Sequence, residues 1–557
     1  MNSESKVEIE ENATKNPPLV LALIPVIVLI VLLGLNVWFY KDNATYGPNQ
    51  IALLLAAAAA VCAGLILGHK FKAMMEGIVK SLGSAIGAML ILLLIGSLSG
   101  TWMMGGIVPA MIYYGLDVLD PKYFLVASLA ICAIVSVATG SSWSTVATVG
   151  IALMAIAKAL NVSEAMTAGA IISGAYFGDK ISPLSDTTNL ASAMAGTDLF
   201  THIKYMLWTT VPSILIAAGI FAVIGLTSEG NVSTEDTAAL KTAIASHFQI
   251  SYWLLLVPVA VIVMVILKFD ALVALFLGTI LGVVVAICLQ PTAVKRVSGI
   301  DESSTYASHA YSAFFNSMAL ESAIVPSDES EEVEKEIEAL LEQENAKIEK
   351  EEEKLDTNAL LKSGAVGAEL KARYFANKLL NGKGMNGMLN TIWLIICAMC
   401  FGGVMEACGL LQRLTQPLLQ LAKTTGSLIA TTAASCLFVN FTASDQYLAI
   451  VVPGRMFRET FKKRGLAPQN LSRTLEDSGT VTSVLIPWNT CGATQMATLG
   501  IGLAYIPFCF FNIISPFMTI IIGFAGIGIA KLAMDAKGRV DESGIADSEN
   551  TESGDER

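Results

Sequence analysis

The sequence predicts an all-α polytopic membrane protein made of two inverted repeats with broken helices and re-entrant hairpins. Three observations carry this. The 557 residues are 54% hydrophobic and only 15% charged, with a mean hydropathy of +0.62, whereas soluble proteins carry about 25% charged residues. Apolar runs long enough to cross a bilayer recur from end to end. Polar interruptions in the two halves fall at a constant spacing of 304 residues.

A span needs about 20 apolar residues. Uninterrupted candidates are 18–40, 48–68, 80–100, 203–226, 251–268, 271–290, 385–405 and 505–530. The first is too long for a signal h-region, and no cleavage pattern follows it, so it reads as a retained span. Segments 102–116, 121–160, 164–197, 407–422, 426–457 and 474–502 are apolar but broken by Gly, Pro, Ser, Thr and Asn. The chain divides into a disordered tail (1–17), N-terminal spans (18–76), a first repeat (77–290), an acidic extramembrane insert (291–384), a second repeat (385–536) and a second disordered tail (537–557).

The net charge of −12 comes from residues 321–356 and the tails, and implies no basic partner. No basic patch is interleaved with aromatics, so nucleic-acid binding is excluded. The insert helix 327–355 carries a sparse apolar stripe, Val333, Ile337, Leu340, Leu341 and Ile348. Its spacing suits an exposed linker helix, a membrane-surface helix or a weak coiled coil. Transport is expected to survive deletion of 300–375. The nine cysteines, the Cys397/Cys400 CxxC included, lie in or beside apolar stretches and read as buried small hydrophobes. No cofactor is expected.

The repeat is read from three ungapped landmarks. GSLSGTWMMGGIVP (96–109) falls on CFGGVMEACGLLQR (400–413), TGSSWSTVATVG (139–150) on ASDQYLAIVVPG (443–454), and ISPLSDTTN (181–189) on LIPWNTCGA (485–493). Broken spans at matching places point to a transport site. Loop 455–473 is strongly basic and its mate 151–169 nearly neutral, which favours inversion by the positive-inside rule.

Four breaks carry the candidate chemistry. In 139–148, Gly140 permits a left-handed turn, and Ser141 and Ser142 supply hydroxyls. Either a re-entrant hairpin or one span with small packing residues fits. Its mate contains Ser444, Asp445 and Gln446 in NFTASDQY (440–447). A carboxylate at the bilayer centre costs about 3 kcal/mol on insertion scales, so it has to be justified by an ion or a partner. In GDKISPLSDTTNLA (178–191), Pro183 frees carbonyls, and Asp179, Ser182, Ser185, Asp186, Thr187 and Asn189 crowd the break. Lys180 would pair with Asp186 or another carboxylate, or carry a proton itself. The mate of this break offers Asn489 and Thr490. Asp477, in LEDSGTVTS, either caps a helix or enters the cavity, while Glu476 is expected to cap or lie at the interface. Glu406 is expected at the interface.

GDKISPLSDTTNLA, TGSSWSTVATVG and EDSGTVTSVLIPWNTCGA resemble the polar segments of the NhaC-type sodium/proton antiporters over roughly 70–290 and 385–530. The resemblance implies one cation site at Ser141 and Ser142 with the 179–186 break. It implies another at Ser444, Asp445 and Gln446 with Asn489 and Thr490. It implies secondary active exchange of sodium for protons and no enzymatic activity. The family also includes exchangers of malate for lactate and carriers of amino acids, so sodium- or proton-coupled transport of a small organic anion or amino acid is the alternative.

The proton- and sodium-coupling candidates are Asp186, Asp179 and Asp445, in that order, with Asp477 after them. Asp186 and Asp445 are the expected sodium ligands, since a hard cation prefers oxygen. The expected partners are sodium, protons and membrane lipid, with a homodimer as an open option, in the cell inner (cytoplasmic) membrane.

Overall fold

In the computed structural model, the residues described are 17–532 apart from 41–42, 45, 119, 161, 228–233, 268, 348–354, 356, 363–365 and 383. Both expected tails, except Pro17, and Ile348 lie outside them. Among the described residues, nine helices are long and apolar enough to cross a membrane, and the one sheet is a two-residue antiparallel pair, Ser322–Ala323 with Asn381–Gly382. The chain is a multi-pass membrane protein.

Leu19–Tyr40 and Pro48–Ile66 form the N-terminal spans. Phe71–Met104 is a single 34-residue helix that extends beyond the expected span at both ends. It packs antiparallel to Leu389–Ala407, with Ser81 against Met399 and Gly96 against Met388. The expected span 251–268 shortens to a helix at Leu256–Ile266 behind a bend of 87°. In 505–530, Pro507 holds Leu503–Phe508 as a 3₁₀ turn before the helix Phe510–Ala525.

Helix boundaries recur at the sequence offset of 304. Pro121–Thr139 matches Thr425–Ala443 at both ends, and Asp186–Ala195 matches Thr490–Leu499. One hydrogen bond recurs as well: Ser136 donates to the Ala175 carbonyl at 2.5 Å, and Asn440 to the Gly479 carbonyl at 2.6 Å.

Pro121–Thr139 and Glu164–Ile181 lie side by side and point the same way. Gly174 backs onto the Leu129 carbonyl, Gly178 onto that of Ala133, and the Ser182 hydroxyl donates to the Val137 carbonyl. Any side chain at Gly174 would reach within 2.2 Å of the Leu129 oxygen, so glycine sets this close approach. Between them Ser142–Ala159 runs back, with Ser142 beside Asp179 and Gly150 against Ile171. The chain therefore turns at Gly140–Ser141 and retraces its course, and each arm, Pro121–Thr139 and Ser142–Ala159, is long and apolar enough to cross a membrane.

The insert helix spans Ser327–Asn345. Val333 and Ile337 are buried against Leu360, Leu361, Val366 and Tyr374. The stripe thus closes a small core of its own, which corrects the expectations of an exposed linker, a membrane-surface helix or a coiled coil. Six of the nine cysteines are buried; Cys62 and Cys288 are exposed.

Candidate functional site

Each half builds its site from a hairpin tip and a helix break. In the first tip Gly140 is left-handed at φ 67°, and Ser141 caps the returning helix by accepting from the Ser144 N–H. In the second tip Ser444 takes the same conformation at φ 60°, and Asp445 caps the next helix by accepting from the Leu448 N–H at 2.9 Å. Among the described residues, Ser444 is the one non-glycine with positive φ. Its hydroxyl is buried and without a partner, and its carbonyl accepts from the Thr490 N–H at 3.0 Å.

The first break lies between Ile181 and Asp186. Ser185 caps the helix that follows, accepting from the Thr188 N–H. Asn189 donates to the carbonyls of Pro183 and Ser185, and the Ser182 hydroxyl accepts from the Leu184 N–H. These three residues satisfy backbone groups freed by the break, and they are not among the residues that line the cavity where the tips and breaks meet. In the second break Asn489 caps Thr490–Leu499 and donates back to Asn440.

The tips and breaks meet at one cavity of about 180 Å³. Asp179, Asp186, Asp445, Ser141, Gln446 and Thr490 line it, and Phe71–Met104 contributes Ser84, Ala85, Gly87 and Ile91. No Lys, Arg or His is among the lining residues. Asp179 and Asp445 are buried, at 6% and 2% exposure, while Asp186 is exposed and so stands at the mouth. One Asp179 oxygen accepts from the Ser142 N–H at 3.0 Å and the Ser142 hydroxyl at 2.7 Å; the other is buried without a partner. Ser142, which is not among the lining residues, holds Asp179 in place.

A second polar group lies apart from the cavity lining. Lys180, the neighbour of Asp179, ion-pairs with Asp477, and both side chains are fully buried. Ser515 hydrogen-bonds to both. Asp477 is thus Lys180's partner, rather than Asp186. Glu476 is also fully buried and accepts from the Thr187 hydroxyl at 3.1 Å, which corrects its expected capping or interfacial place. Glu406 pairs with Lys80 at 3.4 Å and is partly exposed.

Sequence reasoning missed Tyr447 and Trp143, which also line the cavity. They stand 304 residues apart at the same point of the two returning helices. That offset, applied to aromatics as well as to polar residues, was the available signal.

Residues 174–300 and 364–527 match the Na+/H+ antiporter family. The chain is 36% identical over 486 residues to the Na+/H+ antiporter NhaC of Alkalihalophilus pseudofirmus, covering 87% of this chain and 91% of that one. It is 34% identical to an uncharacterized Na+/H+ antiporter of Haemophilus influenzae, covering 93% and 98%. It is 31% identical to the malate-2H+/Na+-lactate antiporter of Bacillus subtilis, covering 86% and 90%.

Proposed function

Because the chain belongs to the Na+/H+ antiporter family, we infer that it exchanges sodium for protons and that the two cations compete in the carboxylate-lined cavity. The observation that carries this is the gathering of Asp179, Asp186 and Asp445 around one space with no basic residue in its lining. Three carboxylates lining one space repel one another, and Asp179 and Asp445, which are buried, are poorly solvated at membrane depth. A sodium ion or protons relieve that cost, and a group that accepts either ion exchanges one for the other. Ser141, Gln446 and Thr490 add neutral oxygens suited to a hard cation.

Exchange requires the loaded site to face each side in turn. An inverted relation between the halves serves this, and helix directions support it. Asp186–Ala195 runs beside Gln446–Lys463 in the same direction, with Asp186 at Tyr447 and Gly196 at Arg458. Leu199–Thr227 then returns, bringing Gly225 against Lys122 at the base of the first hairpin. The first hairpin therefore opens toward one face and the second toward the other. Lys80, on Glu406, and Arg464, on the Ala422 carbonyl, lie toward the second face. By the positive-inside rule that face is cytoplasmic, in the cell inner membrane, and the acidic insert is on the opposite side.

The malate-2H+/Na+-lactate relative favours a second reading, carriage of a small organic anion. A lining whose charged residues are all acidic disfavours it unless sodium enters with the anion. Purified protein in proteoliposomes decides between them. Sodium gradients should drive proton movement without any organic solute, and an absolute requirement for malate, lactate or an amino acid would reverse the order.

A further inference from the structure

Tyr447 belongs to the second half and Asp186 to the first, yet the Tyr447 hydroxyl donates to Asp186 Oδ2 at 2.5 Å. The other oxygen, Oδ1, accepts the Thr187 N–H at 2.9 Å. Both oxygens of the carboxylate at the cavity mouth are therefore engaged. Asp179, deeper in, keeps an oxygen with no partner.

The repeat makes this bond a departure from symmetry. The position 304 before Tyr447 holds Trp143, and the position 304 after Asp186 holds Thr490; both line the same cavity. The Trp143 indole N–H is buried with no partner. Two aromatic donors thus stand at equivalent points, but one of them has a carboxylate to hold.

A hydroxyl hydrogen and a cation compete for the same face of a carboxylate oxygen. We propose that Tyr447 is a positioning residue. It ties Asp186 across the mouth while the cavity lacks sodium, and it releases that oxygen when the cation enters. The proposal rests on the cavity being the cation site. Tyr447 then sets sodium affinity by being displaced, and the tie between the halves breaks as the ion loads.

The test is equilibrium binding of radioactive sodium to the full-length purified protein at high pH, where protons compete least, followed by flux in proteoliposomes. Tyr447→Phe keeps the ring and removes the hydroxyl. It should tighten sodium binding by about tenfold or more, the scale of one hydrogen bond to a charged group, and lower the sodium KM with kcat within about twofold. Tyr447→Met makes the same prediction and replaces the Phe variant if that one fails to fold. In an Asp186→Asn background, Tyr447→Phe should no longer change sodium binding.

Unchanged or weaker sodium binding in a folded Tyr447 variant would overturn the proposal, as would an equal shift in the Asp186→Asn background. Wild-type protein that binds sodium but moves no protons would sink the exchange reading alone, because the Tyr447 comparison is made on bound ion. Wild-type protein that binds no sodium would overturn both.

Discussion

Lys180 of the first half and Asp477 of the second form an ion pair in which neither side chain is exposed. Removing one partner strands a buried charge and costs about 3–5 kcal/mol, whereas an apolar pair of similar volume is often neutral or better. Lys180→Met and Asp477→Leu should each lower the melting temperature sharply in detergent, and the double variant should recover most of the loss. If the pair serves only to join the halves, the double variant also keeps sodium/proton exchange; loss of exchange in a stable double variant would give one of them a part in transport.

Asp445 is both a helix cap and a cavity carboxylate, and these roles separate cleanly. Asparagine caps about as well as aspartate but carries no charge. Asp445→Asn should therefore fold with a melting temperature close to the wild type and lose sodium-driven proton flux in vesicles. Wild-type flux in this variant would remove Asp445 from the cation site.

The breaks were legible because each departs from what hydrocarbon tolerates. Gly140, Pro183 and the carboxylates announce themselves against apolar flanks, and the offset of 304 tied them into pairs. Partners across the fold were not legible. Lys180 meets Asp477 across 297 positions, and no local pattern encodes which buried carboxylate a lysine selects. The backbone bonds of Asn189 and Ser182 were not legible either, because polar residues in a break read alike, whether they bind an ion or satisfy the freed backbone. The insert misled for another reason. Its stripe showed that a face is covered, but Leu360, Leu361 and Val366, which help cover it, lie beyond the helix in sequence.

Ser444 pays a conformational cost that Gly140, its mate, avoids. A left-handed non-glycine residue costs about 1–2 kcal/mol, partly offset by the entropy that glycine would lose on folding. Ser444→Gly should thus raise the sodium-free melting temperature slightly, by roughly 0.5 kcal/mol of stability. The buried, unpartnered Ser444 hydroxyl makes a second outcome measurable. If it binds the cation, added sodium will stabilise the variant less than it stabilises the wild type in the same thermal titration. An equal sodium effect would leave the hydroxyl outside the site.

The acidic insert reads in sequence as dispensable, but its contacts argue otherwise. Ser97 donates to the Met318 carbonyl at 3.1 Å, and Gly100 sits so close to the insert that a Cβ would fall 1.9 Å from the Ser317 carbonyl oxygen. These residues lie on Phe71–Met104, the helix whose middle forms one wall of the cavity through Ser84, Ala85, Gly87 and Ile91. Deleting 300–375 would remove Ser317 and Met318, the part of the insert backbone packed most closely on the Gly100 end of that helix, and leave Gly382 and Gly384 there. Gly100→Val should mimic the loss without shortening the chain, since overpacking against fixed backbone costs about 1–3 kcal/mol. Both variants should melt earlier than the wild type and transport sodium more slowly, with the deletion the more severe. A deletion that keeps wild-type melting and flux would show that the cavity wall holds its place without the insert.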